Sequence, residues 1–304
     1  MTFHLRLLLL CSAIGLGFST PVQANEIKVV VTTNILADSI RNVLPKPFNV
    51  ISLMDSGIDP HLYRATHGDI KRLLEADLIV YNGKHLEGRM QEPLEKMARK
   101  KKVLIITDAF PNKQFIQVGP NQADPHIWMD VTLWIQGLDY LVAQISQQYP
   151  KHTSTIQAKW LDYQTQLKQL HQTIKDQVQT IPKSQRILIT AHDAFAYFGQ
   201  QYQFEVDALQ GISTISEFGL KDIKRLKQKI IKHNLKAIFV ESTISPRFIQ
   251  SLQAGLAADQ HSVELGGTLH SDSLDVKGTE ASTYIGMMRH NAKTITQALT
   301  DAAP

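Results

Sequence analysis

The sequence predicts an α/β protein of two lobes, each a parallel sheet flanked by helices, joined by one long rigid linker helix. Three observations carry this expectation. Short apolar, β-branched runs alternate with helical stretches along the chain, which is the pattern of parallel sheets covered on both faces. The alternation occurs in two successive halves. Between the halves, His152 to Thr180 contains neither Gly nor Pro.

In the first half, IKVVVTTN (27–34), FNVISLMD (48–55), ADLIVYNG (76–83) and KVLIITDAF (102–110) read as strands by length and β-branched content. Helical stretches fall between them, around 35–44, 66–75 and 89–100. In the second half, RILITAHD (186–193), FEVDAL (204–209), KAIFVEST (236–243) and HSVELGG (261–267) take the strand role. Their helices fall around 194–201, 217–233, 245–258 and 279–300.

In the connecting stretch, Ile156, Trp160, Tyr163, Leu167, Leu170, Ile174 and Val178 recur at steps of three or four. They form one apolar stripe along a helix about 40 Å long. A hinge would be rich in Gly, Ser or Pro, so this segment reads as a stiff rod and large lobe closure is disfavoured. The domain expectation is a leader at 1–24, lobes at 25–150 and 183–304, and the linker helix at 151–182.

The leader has one positive charge at Arg6, an apolar core LLLLCSAIGLGF (7–18) and a small-residue end at Val22-Gln23-Ala24. This is the form of a cleavable secretory signal, too short to span a bilayer. Cys11 follows three leucines where a lipid-attachment motif wants small residues, so the expected product is a soluble, periplasmic protein beginning near Asn25. Cys11 is also the only cysteine, which excludes disulfides and thiolate metal chemistry beyond the leader; a chain of this size needs no staples.

The net charge is +4, of which Arg6 contributes one. The only basic run, Arg99 to Lys102, lies at a helix end, where cations suit the helix dipole, and no aromatics interleave with it. Nucleic-acid binding is therefore not expected.

Candidate ligands stand where strands end. His61 in DPHLY, His126 in DPHIW, His192 in TAHDAF and Asp272 in HSDSLD each lie at or just past the carboxyl end of a strand, the side of an open α/β sheet on which ligands bind. Imidazole and carboxylate together suit a divalent transition metal. The Asp-Pro step before His61 and His126 fixes the backbone ahead of each ring. A lone DPH is more often a surface turn, a lone strand-end histidine a structural residue, and a loop aspartate a cap; convergence gives the four their weight. Asp275 and His270 compete with Asp272, His67 lies near enough to support the site, and His85 in YNGKHLEG sits where it can approach the crevice. Asp59, Asp124 and Asp193 are placed to orient ligands.

A catalytic zinc would need an open position and a general base. The chain has no H-E-x-x-H or G-x-S-x-G motif, so a zinc hydrolase is the weaker alternative. An adhesive surface protein is another, made less favourable by the poor lipid-attachment motif.

These motifs closely resemble the metal-binding solute receptors of zinc and manganese ABC importers, the TroA-like group. VTTNILADSIRNV, DPHLYRATHGDIKRLLEADLIVYNG, ADPHIWMD, TAHDAFAYFG, GISTISE, IFVES and SDSLD…GTEASTYIGMMRHN occur in the family's order along the whole chain after the leader. The resemblance implies a non-enzymatic, monomeric receptor with one zinc or manganese ion held between two lobes by His61, His126, His192 and Asp272. It also implies docking onto a membrane permease, without insertion into the membrane. The manganese-preferring branch commonly has glutamate as third ligand, where this chain has His192. The zinc-dedicated branch usually has a histidine-rich loop before the second ligand, whereas residues 111–125 contain no histidine. Three imidazoles and one carboxylate lean toward zinc, which also binds more tightly than manganese in any such site.

Overall fold

The computed structural model describes residues 26–120, 122–215 and 218–300. The leader expected at 1–24 lies outside these residues. The elements are β1 (Ile27–Val31), α1 (Asn34–Val43), β2 (Phe48–Ser52), α2 (His67–Glu75), β3 (Leu78–Tyr81), α3 (Gln91–Ala98), β4 (Val103–Ile105), a hairpin of β5 (Gln117–Gly119) and β6 (Gln122–Ala123), and α4 (Val131–Gln148). The long α5 (Thr153–Gln179) follows, then β7 (Ile187–His192), α6 (Ala196–Tyr202), β8 (Glu205–Gln210), α7 (Leu220–Lys232), β9 (Ala237–Glu241), α8 (Arg247–Ala258), β10 (Glu264–Leu269) and α9 (Tyr284–Thr300).

The first lobe is a parallel sheet ordered β2-β1-β3-β4. In the second, β7 pairs with β8 and β9 with β10, both in parallel, and β7 runs beside β9. The two lobes share one plan. The first strand of each lies centrally, the second on one side of it, and the third on the other. The crevice at which the connections diverge therefore opens between β1 and β3 in one lobe and between β7 and β9 in the other.

The α5 rod forms as its periodicity requires. Its buried residues are Ile156, Trp160, Tyr163, Leu167, Leu170, Ile174 and Val178, the seven of the stripe. They join one continuous core that draws on Val29 and Ile40 from the first lobe and on Phe195, Tyr284 and Met288 from the second. At roughly 1.5–3 kcal/mol for each buried apolar side chain, the stripe contributes on the order of 10–20 kcal/mol before the entropy of ordering is subtracted. Polar pins add direction: Trp160 Nε1 donates to Asp139 Oδ1 at 2.9 Å, and Trp134 Nε1 to Ser39 Oγ at 3.0 Å.

Residues 131–148 carry no clear helical pattern in the sequence, yet they form α4. Asp130 caps its start, Oδ1 accepting from Thr132 N at 2.7 Å. Gly137, a weak helix former, obscured the signal; it is needed because a Cβ there would meet Ile106 Cγ1 at 2.7 Å. The strand expected at 102–110 is also shortened. Only Val103–Ile105 pair with β3, and the chain then turns into a 3-10 helix at Ile106–Ala109.

Candidate metal centre

Each of the four sequence-singled residues is fixed by a different local device, and all four meet in the crevice between the lobes. After β2, Asp59 Oδ1 accepts from the backbone N–H of His61 at 2.8 Å, turning the Asp-Pro step into a brace. Asp59 Oδ2 accepts from Thr214 Oγ1 of the second lobe at 2.6 Å. At the other Asp-Pro step, Asp124 Oδ1 accepts from both the backbone N–H and Nδ1 of His126, at 2.9 and 2.7 Å. His192 is the last residue of β7. Its N–H donates to Glu241 Oε1 at 2.7 Å and its Nδ1 to Glu241 Oε2 at 2.6 Å, across the divergence point between β7 and β9.

Asp272 follows β10 in a loop held by the first lobe. Trp128 Nε1 donates to Ser271 O at 2.7 Å. Asn34 donates to Ser273 Oγ at 2.9 Å and accepts from Leu274 N at 3.0 Å, while Gly57 N donates to Ser273 Oγ at 2.8 Å. An aspartate of the second lobe is thus positioned by side chains and backbone of the first.

The result is a compact donor set. His61 Nε2 and His126 Nε2 lie 3.3 Å apart. Asp272 Oδ2 is 3.5 Å from His61 Nε2 and 3.2 Å from His192 Nε2, and Oδ1 is 3.5 Å from His126 Nε2. One ligand atom from each residue lies within 4.8 Å of all the others. A four-coordinate zinc with bonds of about 2.0–2.1 Å would have its ligand atoms about 3.3 Å apart along a tetrahedral edge, so the donor set fits such an ion. All four residues are at most 2% exposed.

The hydrogen bonds also fix which nitrogen faces inward. Asp124 and Glu241 occupy Nδ1 of His126 and His192, so each ring turns Nε2 toward the Asp272 carboxylate. The nearest polar atom to Asp272 Oδ2 in this cluster is His192 Nε2, at 3.2 Å. A buried carboxylate among imidazoles is stabilised either by a proton on His192 Nε2, 3.2 Å away, or by a cation that takes that proton's place.

The proton affinities diverge accordingly. Burial pulls His61 down to about 3, with Asp272 opposing and the other two histidines assisting. Burial acts the same way on His192, but the carboxylates of Glu241 and Asp272 outweigh it and raise this imidazole well above its ordinary value. Asp272 is resisted by burial, yet the surrounding histidines hold it well below the usual carboxylate range.

The competitors fall elsewhere. His270 is buried but faces His290, with ring centroids 5.1 Å apart, and is not one of the four converging residues. The Asp275 carboxylate caps its own loop through Val276 N, and His67 is exposed at the start of α2. Asp193 is half-buried beside the crevice and His85 exposed at its rim. Among the acids expected to orient ligands, Asp124 grips an imidazole and Asp59 a backbone. Glu241 is absent from the acids expected at the site; its position at the carboxyl end of β9, next to the strand bearing His192, is the signal the sequence offers. In the first lobe the buried Glu87, in the loop after β3, reaches back to the end of β1, where its Oε1 accepts from Thr32 Oγ1 at 2.7 Å.

Comparison with known proteins agrees with this architecture. The family model described as zinc-uptake complex component A, periplasmic (ZnuA), matches residues 29–298. The chain is 41% identical over 275 residues to the manganese-binding lipoprotein MntA of Bacillus subtilis (strain 168), covering 90% of each. It is 38% identical over 271 residues to the zinc-binding protein TroA of Treponema pallidum (strain Nichols), covering 89% of this chain and 88% of that one. The solved structure of periplasmic zinc-binding protein TroA from Treponema pallidum superposes with a TM-score of 0.88, covering 90% of this chain and 99% of the other. With nearly its whole described length matched, the chain belongs to the ZnuA family of periplasmic zinc-uptake components.

Proposed function

We propose that this protein is the substrate-binding component of an ABC importer, taking a divalent transition metal, zinc or manganese, from the periplasm and delivering it to a membrane permease. The metal is cargo, and its ligands are His61, His126, His192 and Asp272. The observation that carries the reading is the convergence of three Nε2 atoms and a carboxylate at distances suited to one tetrahedral ion. Four protein ligands leave no position for an activated water, which argues against an enzyme.

The names of the relatives divide between the metals, manganese for the Bacillus protein and zinc for the Treponema one. The donor set favours zinc in affinity. The protein acts as a monomer, with lobes at 25–150 and 183–304 and the linker at 151–182. No helix among the described residues is long and apolar enough to cross a membrane, in keeping with docking on a permease rather than insertion.

The test is calorimetric titration with zinc chloride of the natural protein and of the His61→Ala and His126→Ala variants. One tight ion per chain is expected, with affinity lowered by orders of magnitude in either variant. Unchanged affinity in both would overturn the assignment.

A further inference from the structure

The loop leaving β3 carries three successive residues with positive φ: Gly83 at 91°, Lys84 at 51° and His85 at 63°. Glycine adopts this region freely, whereas lysine and histidine do so at a cost. Such strain persists where the surroundings impose it, and it concentrates at functional sites. Here the buried Glu87 imposes it: its carboxylate accepts from Asn82 N at 2.8 Å and Gly83 N at 3.1 Å. A Cβ on Gly83 would lie 2.5 Å from Ile105 Cγ2, so the turn is also tightly packed.

The turn presents two side chains to one cavity. Lys84 Nζ is drawn aside to Asn112 Oδ1 at 2.9 Å and sits 4.5 Å from the centre of the Phe115 ring. His85 has a different partner, its Nδ1 lying 2.6 Å from Gln91 Oε1. The Gln91 amide is itself oriented, because its Nε2 donates to Glu95 Oε1 at 2.8 Å. Oε1 therefore faces His85, the proton resides on Nδ1, and Nε2 keeps its lone pair. Asp124 and Glu241 prepare His126 and His192 by the same device. An exposed histidine has no packing need for it.

What His85 faces gives the device a use. A cavity of about 330 Å³ is lined by His85, Asp193 and His61. It joins the rim of the crevice to one of the four converging residues. Asp193 is the only acidic side chain among the described residues lining it, and the ammonium of Lys84, which also lines it, is engaged at Asn112.

We propose that His85 is a capture ligand for the divalent metal at the mouth of this cavity, holding the ion through Nε2 on its passage between solvent and His61, with the Asp193 carboxylate attracting it. The inference rests on His61, His126, His192 and Asp272 being the destination. Capture exchanges a water of the hydrated ion for Nε2, with no electron or proton transferred. A stepping ligand lowers the barrier in both directions, so its loss slows loading and release alike.

The test uses the full protein preloaded with zinc and then titrated with manganese chloride, a paramagnetic probe that zinc's tighter binding keeps out of the buried site. Imidazole ring resonances are followed by NMR. His85 is expected to broaden at lower manganese than the exposed His67 and His233. A second measurement follows zinc loading by stopped-flow in His85→Asn, a substitution that tolerates positive φ and so preserves the turn. Loading and release should both slow severalfold, with a smaller effect in Gln91→Ala, which frees the ring without removing it. Broadening of His85 no earlier than His67 and His233, or natural loading rates in His85→Asn, would overturn the proposal. Failure of the underlying site would instead appear as unchanged zinc affinity in both His61→Ala and His126→Ala.

Discussion

Replacing Glu241 with Gln tests how the second lobe prepares its histidine. The carboxylate accepts two bonds from one residue, the His192 N–H at 2.7 Å and Nδ1 at 2.6 Å. Glutamine has the same shape, but one oxygen and one NH2 group, so one of those buried donors would confront another donor. An unsatisfied buried donor costs about 1–3 kcal/mol in stability. Loss of an orienting carboxylate behind a ligating histidine typically costs about 10–100-fold in metal affinity, which is about 1.4–2.8 kcal/mol.

The pH dependence should move in the opposite sense. Burial alone would lower the His192 pKa, and Glu241 is the first of the groups that reverse this and raise it. A proton on Nε2 excludes the metal. In the natural protein, zinc affinity should fall as pH drops through the raised His192 value. In Glu241→Gln that value falls, so proton competition should begin at lower pH. The variant should be clearly weaker at neutral pH, with the gap narrowing as the solution is acidified. Competition titration against a zinc chelator across neutral to mildly acid pH reads both effects. Affinity within twofold of the natural protein at neutral pH, or a gap that widens on acidification, would refute the reasoning.

Two further outcomes are expected. Combining His192→Glu with Glu241→Gln, which removes the carboxylate that would face the new one, should weaken zinc relative to manganese by adding a hard oxygen; an unchanged affinity ratio in paired titrations would assign selectivity to geometry instead. Small-angle scattering of metal-free and zinc-loaded protein should give nearly the same radius of gyration, because α5 packs into a core shared by both lobes and contacts such as Trp128 to Ser271 already bridge them. A change of several ångströms would mean a hinged receptor.

The fold was largely legible because its signals are periodic. The α5 stripe needed only residue spacing, and every residue it selected is buried. The four converging residues were legible because strand ends and repeated Asp-Pro steps are local features. What escaped notice is long-range. Glu241 is 49 residues from His192, and only the β7–β9 neighbourhood, a property of sheet order, brings them together. Asn34 and Ser273 are 239 residues apart, and no local pattern announces that the first lobe holds the Asp272 loop. The α4 helix was hidden for a different reason: Gly137 lowers helix propensity but is retained for its close approach to Ile106. At the Lys84-His85 turn, the sequence marks a loop after a strand, but the left-handed backbone becomes apparent only with Glu87 clamped beneath it.

The central claim is that one ion is held by three imidazoles and one carboxylate. Crystals grown with zinc, with diffraction recorded on both sides of the zinc absorption edge, test it most directly. The expected result is a single anomalous peak between the lobes, with His61, His126 and His192 Nε2 at about 2.0–2.1 Å and an Asp272 oxygen at about 2.0–2.2 Å. A peak elsewhere, or one whose neighbours include fewer than three of these residues, would contradict it.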